Sequence, residues 1–476
     1  MKIKMLSCLV WSASCGVVAA QTPIDLPAQP SEHFDTALPE KHPNIAPPQA
    51  PAQPSNDPSV RHISSQDLRH NPELLQHALD SAIMTRNEDA VRLLAPIYNE
   101  LDDKDEILAQ YAQARVAQAD GKTQQAIALY ENIVAQKPEA APVRFDLVQT
   151  LLQDSRHHDA KKHIALLQKD ENLPQEINNV LIEQQAYLRQ QHKWRLSGSL
   201  NYIQEDNINN APKQSVLETE TGTWRFSPPE KARGVSYDFA ADKKIPLKGN
   251  WSAQLGVQAY GKHYPQKHSY NDLNLGVSAG VSHRNIKREW RITPLAEKRW
   301  FGGKPYSQQY GLRVQHNRAL NRKWHSFSSV RAAYTQHKHR DFLDGSSFSA
   351  SQSFQYQVNP RNTLIVGADL LRENARDKSS ASFRQAARVG WVNRWKGLET
   401  SVHLTASTRR YDSADWFLNQ RRKDREYSSY LTLAHNKIQW RGFMPKLAWR
   451  ASKQNSNHVL YRYRKQQVFV ELDKAF

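Results

Sequence analysis

The sequence predicts an α+β protein of two domains, an N-terminal α-helical tetratricopeptide-repeat domain followed by a 14-stranded antiparallel transmembrane β-barrel. Three observations carry that prediction. Residues 195–476 break into short segments of alternating polarity whose connections are short and long in strict rotation, as in a barrel with tight periplasmic turns and long outer loops. Upstream, Ala126 and Ala160 mark a 34-residue helical period, the spacing of stacked tetratricopeptide units. The final segment alternates up to a terminal aromatic, Phe476.

Residues 1–20 read as a secretory signal: Lys2 and Lys4, an apolar run from Met5 to Val18, then Val18-Ala19-Ala20 as a small-residue cleavage site. Cys15 invites a lipoprotein signal, but Ser12 stands where such signals usually carry Leu. Both cysteines, Cys8 and Cys15, lie inside this segment. The mature chain is then thiol-free, which excludes disulfides and thiolate metal sites. Residues 21–66 hold ten prolines between Pro23 and Pro58. Proline removes amide donors and fixes φ, so an extended, poorly ordered linker is expected.

The repeat domain is expected over residues 67–193. In its clearest unit Ala114 allows close helix packing, Gly121 opens the turn, and Ala126 and Tyr130 form the second helix's packing face; Ala160 repeats the role of Ala126. An earlier unit is degenerate, with Ala90 offset by 36 residues from Ala126. A plain helical bundle is the alternative. Either architecture offers a surface for protein contact rather than chemistry.

The barrel is expected over 194–476, with strands near 195–204, 233–245, 250–263, 269–284, 288–301, 306–319, 323–337, 347–358, 362–373, 382–395, 397–411, 424–435, 444–454 and 461–476. An even count suits a bacterial barrel. Trp251, Ala253, Leu255, Val257 and Ala259 form one apolar face; Leu398, Val402, Leu404 and Ala406, with Thr400 in line, form another. Ten of the twelve tryptophans follow Arg195, and Trp251, Trp290, Trp300, Trp324, Trp391, Trp395, Trp440 and Trp449 fall near expected strand ends, where aromatic girdles meet headgroups. In the last strand Val468, Val470, Leu472 and Phe476 share a face and are expected to form the barrel-insertion signal. A mean hydropathy of −0.75 excludes a helical membrane protein but not a barrel, half of whose residues face a polar lumen.

Charge divides between the halves. Residues 195–476 hold 47 basic and 22 acidic side chains (+25), residues 1–194 hold 18 and 25 (−7), together the chain's +18. An exported chain has little access to nucleic acid, so no nucleic-acid partner is expected. A basic lumen and basic loops meeting lipopolysaccharide or an acidic passenger are the better reading.

With these features in place, the chain resembles the surface lipoprotein assembly modulators (Slam). The resemblance rests on Asn71-Pro72-Glu73-Leu74-Leu75, Leu108-Ala109-Gln110-Tyr111-Ala112-Gln113, Ala117-Gln118-Ala119-Asp120-Gly121, Asp206-Asn207-Ile208-Asn209-Asn210-Ala211-Pro212-Lys213, Arg421-Arg422-Lys423-Asp424 with Glu426, and the ending Phe469 to Phe476. It implies a translocon in the outer membrane of a Gram-negative bacterium, with its repeats in the periplasm. Its client would be a surface lipoprotein or a soluble haem- or metal-acquisition protein, with outer-membrane lipid and lipopolysaccharide, the barrel-assembly machinery and periplasmic chaperones as further partners.

Asp206, Asn207, Asn209 and Asn210 are candidates for a functional loop or for a hydrogen-bonded turn, and Arg421, Arg422, Asp424 and Glu426 for a gate or a solvated outer loop. The alternative function is an exopolysaccharide export porin with a periplasmic repeat domain. An enzyme is not expected: His263, His283, His325 and His403 form no recognisable Ser–His–acid set in sequence, and no catalytic or cofactor residue is assigned. No metal site is expected either, because His337-Lys338-His339 lacks a matching ligand set.

Overall fold

The structure, a computed structural model, describes residues 68–209, 211, 216–219, 222–438 and 444–475. The expected signal and linker, Asn210, Trp440 and Phe476 lie outside the described residues, as does the Leu472 side chain.

Seven helices among the described residues form the N-terminal domain: α1 Pro72–Met84, α2 Glu88–Asn99, α3 Glu106–Ala119, α4 Thr123–Gln136, α5 Ala141–Gln153, α6 His157–Leu167 and α7 Gln175–Gln191. Polar caps start the first three: Asn71 accepts from Leu74 N–H, Asn87 from Ala90 N–H and Asp105 from Ile107 N–H. Their core runs in series instead of converging on one centre. Leu75, Leu79, Val91 and Tyr98 pack together; then Ala114, Ala126, Tyr130, Leu147 and Ala160; then Ile164, Leu167, Leu181 and Leu188. That serial core is the mark of a stacked array rather than a bundle. Each helix pair turns through one residue of positive φ, at Arg86 (56°), Gly121 (71°) and Ser155 (64°). The repeat is therefore written in backbone geometry where only one of its three turns is written in glycine.

Fourteen strands close a barrel: β1 Arg195–Glu205, then β4 Ala232–Pro246, β5 Trp251–His263, β6 Asp272–Arg284, β7 Arg288–Phe301, β8 Lys304–Ala319, β9 Trp324–His337, β10 Gly345–Asn359, β11 Asn362–Glu373, β12 Ser382–Trp395, β13 Leu398–Ala414, β14 Arg421–His435, β15 Met444–Ser456 and β16 Tyr463–Ala475. Every neighbour is antiparallel, and β16 returns to β1. A separate hairpin, β2 Val216–Thr219 with β3 Gly222–Arg225, stands in the first long connection, where the sequence suggested only a loop.

The strict rotation of connections does not hold. The outer β7–β8 connection is the two residues Gly302-Gly303, both at positive φ, while the inner β14–β15 connection spans 436–443. Two residues at positive φ suit a tight hairpin whose twist matches its strands, so a glycine pair can close a barrel on either side. Lys396-Gly397 does the same on the inner side.

Outward positions are apolar and exposed, among them Leu255, Val257, Leu275, Val277, Leu404 and Val470. A continuous exposed apolar band of this kind needs lipid. Trp251, Trp290, Trp324 and Trp395 ring its inner rim, with Trp290 stacked on His316 at 4.0 Å and Trp251 edge-on to His283 at 4.9 Å. Trp449 departs from the expected girdle: it sits mid-strand, opposite Leu431 and Val468.

Candidate export path

The repeat array is fastened to the barrel at one turn. Asn250, in the β4–β5 turn, donates through Nδ2 to the Asp154 carbonyl (2.6 Å), the Asp154 carboxylate (2.9 Å) and the Arg284 carbonyl (2.8 Å). Gly249 N–H donates to Asp159 Oδ2 at 3.1 Å. Asp154 is 1% exposed, so this is a buried joint and not a surface brush. It places the last repeat beneath the inner mouth of the barrel.

Within the array, Asp146 gathers three donors across helices: Arg86 at 2.9 Å, Tyr111 hydroxyl at 2.9 Å and Arg115 at 3.1 Å. Arg115 also contacts Glu88. Burial first, and the Asp146 charge second, push the Tyr111 hydroxyl far above its ordinary range, which keeps it a donor. Of the residues that sequence placed in repeat packing, Ala114, Ala126, Tyr130 and Ala160 are fully buried, and Gly121 holds the α3–α4 turn.

The lumen is lined by charge pairs between strands. Arg388 meets Asp369 at 2.7 Å and also reaches Ser351 and Ser353 (2.9 and 3.2 Å); Arg409 meets Glu373 at 2.8 Å and Arg299 meets Asp272 at 2.8 Å. Tyr260 donates to Glu297 at 3.0 Å and Tyr430 to Glu471 at 2.6 Å. The expected basic lumen is thus a mixed-charge wall, because inward arginines on neighbouring strands stand beside inward carboxylates. Sequence reasoning missed these pairs; their only linear trace is charge at inward positions of the two-residue period.

The first outer connection is folded onto the barrel's rim. Asn207 exchanges two hydrogen bonds with Ala211 (2.7 and 2.8 Å), and Asn209 holds the returning limb through Pro228 O (2.9 Å) and Glu230 N–H (3.0 Å). Ile208 is buried with Ile203, Ala232 and Tyr264, while Asp206 is exposed, 3.8 Å from Lys231. Below them Glu205 accepts from Lys262 at 2.6 Å and Tyr264 at 2.8 Å.

The second candidate cluster is split by strand parity. Arg422, Asp424 and Glu426 face inward on β14, and Arg421 faces out. Arg422 lies 3.3 Å from the Tyr461 ring centre and 4.6 Å from Tyr411, and pairs with Asp424 at 2.7 Å. Of the four residues offered as a gate or a solvated outer loop, Arg421 therefore lies off the lumenal cluster that the other three form on β14. Above this cluster His458 approaches Asp415 at 3.3 Å, joining two outer connections.

Strand β1 is held unequally. Among the described residues, eleven pairs, Arg195↔Asp242 to Glu205↔Ala232, join it to β4, but five, Ser197↔Ala475 to Asn201↔Glu471, join it to β16. Above the fifth pair the strands part, crossed by a 3.3 Å bond from Gln467 Nε2 to Gln204 O. Val468, beside the gap, is 67% exposed, and Val470 and Tyr202 also face lipid. Unpaired strand edges in lipid are costly, so a seam of this kind is the place where a barrel opens most readily.

Comparison with known proteins decides the family. The family described as surface lipoprotein assembly modifier matches residues 194–476, and its N-terminal tetratricopeptide repeats match 61–164. The chain belongs to the surface lipoprotein assembly modifier family. Surface lipoprotein assembly modifier 1 of Haemophilus influenzae is 32% identical over 431 residues, covering 89% of each chain. Its namesake in Neisseria meningitidis serogroup B is 31% identical, covering 90% of this chain and 88% of that one. The hemophilin secretion modulator of Acinetobacter baumannii is 23% identical over 86% of this chain and 87% of its own. Among solved structures, the outer membrane channel DcaP of Acinetobacter baumannii matches at a TM-score of 0.36 and 8% identity over 60% of this chain and 96% of its own; the strand order of this family member stands on its own register. Its barrel lies in the outer membrane, with the repeats on the periplasmic side.

Proposed function

We propose that the protein exports a selected surface lipoprotein, or a soluble haem-acquisition protein, from the periplasm across the outer membrane to the cell surface. The observation that carries this reading is the buried joint of Asp154 and Asp159 with Asn250 and Gly249, which aims whatever the repeats hold at the barrel mouth. The weakly paired β1–β16 seam gives the acyl chains of a lipidated client a sideways path into the outer leaflet while its protein part uses the lumen. The barrel-assembly machinery would read Val468 and Val470 on the outward face of β16, together with Leu472 and Phe476 of the same sequence period, and periplasmic chaperones would deliver the client to the repeats. The family names a transport and assembly role, and no catalytic chemistry is proposed for this chain. Polysaccharide export is the weaker reading, because arginines already matched by carboxylates leave little positive field for a polyanion.

The test exploits a mature chain without cysteine. A cysteine pair replacing Asn201 and Glu471, the last rung of the seam, is compared with one replacing Ser199 and Asp238 on the β1–β4 side. Oxidation should abolish surface display of a lipidated client in the first and leave it unchanged in the second, with recovery on reduction. Full display through a quantitatively cross-linked seam would remove the seam from the path. Unchanged display in a strain lacking the protein would remove the export function itself.

A further inference from the structure

Six of the barrel's basic side chains gather in one patch of its outer wall. On β13 to β16, just above the apolar band, Arg410, Arg421, Lys423, Arg425, Lys453 and Arg464 are all exposed and face outward. Register sets like charges directly across from one another: Arg410 opposite Lys423, and Lys453 opposite Arg464. Directly opposed like charges on one sheet face destabilise the pairing unless something between them carries the opposite sign.

No described carboxylate stands between these opposed pairs. Asp424 and Glu426 on the same strand point inward, and Asp412, outward on β13, is held by Arg372 through a bond of 2.8 Å and a second contact and acts beyond it on Arg421, leaving Arg410, Lys423, Arg425, Lys453 and Arg464 with no described ion pair. Beneath the basic row the same strands present Tyr427, Leu431, Leu447, Trp449, Val468 and Val470 to lipid. A cationic band directly over an apolar wall matches an amphiphile whose anionic head and acyl chains enter together. Outer-leaflet lipids meet this height of the wall, and each Lys or Arg near a membrane surface adds to the attraction for an anionic headgroup.

We infer that this patch is a binding site for the phosphorylated headgroup of an outer-leaflet glycolipid, lipid A. Arg410, Lys423, Arg425, Lys453 and Arg464 hold the phosphates, and the apolar residues below seat the acyl chains. The site extends from β13 to β16, where Arg464 stands beside the β1–β16 seam, so a bound lipid would reach its rim. The inference rests on the barrel's place in the outer membrane and holds whether or not the chain exports a client.

Full-length protein in detergent is titrated with bis-phosphorylated lipid A, with the same lipid dephosphorylated, and with inorganic phosphate. The variant K423S/R425S/K453S/R464S is compared with R233S/K298S, which removes outward charge on β4 and β7. Heat-dependent gel migration reports whether each barrel is closed. Phosphorylated lipid should bind wild type and R233S/K298S alike, bind the fourfold variant at least about tenfold more weakly, and weaken with salt. The dephosphorylated lipid should bind wild type as weakly as the variant, an arm that needs no mutant to fold. Equal binding of the dephosphorylated lipid, or unchanged binding by a closed fourfold variant, overturns the site. Inorganic phosphate competing at the same concentration as the lipid overturns the lipid as occupant and leaves a free-anion site.

Discussion

The repeat array and the barrel both use arginine–carboxylate pairs, and the pairs differ in what surrounds them. Arg115 and Asp146 are 3% and 4% exposed at their side chains, enclosed by helices, whereas Arg388 and Asp369 are 13% and 23% exposed on a wall that faces the lumen. A charge left alone in a packed helical core has no water to turn to. A charge left alone on a lumenal wall does. The same chemistry is thus structural in one domain and adjustable in the other, which suits a rigid receiver beneath a wall that a passing protein must brush.

The largest effect should come from Asp146→Ala. It strands Arg115, Arg86 and the Tyr111 hydroxyl together, and removing one partner of a buried pair costs about 3–5 kcal/mol. The helical signal of the full chain should melt at much lower temperature while the barrel's heat-dependent migration stays unchanged. A helical melt within a degree or two of wild type would show that water reaches Asp146 after all and erase the contrast between the domains.

A pH titration probes a buried titratable contact at the outer connections. Burial, with Arg422 adding, holds the His458 imidazole below its ordinary 6.5 against the pull of Asp415 and Asp424. Burial pushes Asp415 the other way, but the N–H groups of Leu418, Phe417 and Gln420 and the neighbouring His458 leave its pKa below the ordinary 3.8. A base with a depressed folded pKa contributes stability that is complete above 6.5 and lost as pH falls from there toward the folded value. Asp415 adds a loss only as pH drops below 3.8. Between those values the connections at 415–420 and 457–462 should become more sensitive to protease on acidification, and His458→Gln should flatten that response. In the lumen, Asp369→Asn should shift barrel melting by only about 1 kcal/mol or less, since water and Ser351 and Ser353 still serve Arg388. A shift as large as that of Asp146→Ala would mean that the lumenal wall is dry.

The fold was legible wherever one local rule dominates. Period-2 alternation placed all fourteen barrel strands, with ends differing by a few residues, because each outward position meets lipid and each inward one meets water. What escaped depended on partners far along the chain. Arg388 and Asp369 are 19 residues apart, Arg86 and Asp146 are 60, and Asn250 and Asp154 are 96. The candidate segment of Asp206, Asn207, Asn209 and Asn210 was visible in the sequence as a functional loop or a hydrogen-bonded turn, but the grip of Asn209 on Pro228 and Glu230 was not. Arg421 was grouped with Arg422 by adjacency, although adjacent strand residues face opposite sides. The seam left no sequence mark, since β1 alternates alike along its whole length and only pairing distinguishes its edges.

The smallest effect sharpens the comparison from the repeat side. Ser155 occupies at φ 64° the turn position that Gly121 fills at 71°, and it makes no side-chain hydrogen bond there among those described. A residue with a Cβ held in the left-handed region is strained by about 1–2 kcal/mol, while glycine gives back roughly 0.5–1 kcal/mol through the freedom of its unfolded chain. Ser155→Gly should therefore raise the helical melting point slightly, by the equivalent of about 0.5 kcal/mol. Gly121→Ala should lower it by about 1 kcal/mol even though a Cβ there meets no atom within 4 Å, because the loss is in the backbone and not in packing. Two opposite shifts at equivalent turns would show that the period is enforced by backbone conformation. A loss of stability in Ser155→Gly would instead assign the serine side chain a contact of its own, beside Asp154 at the joint with the barrel.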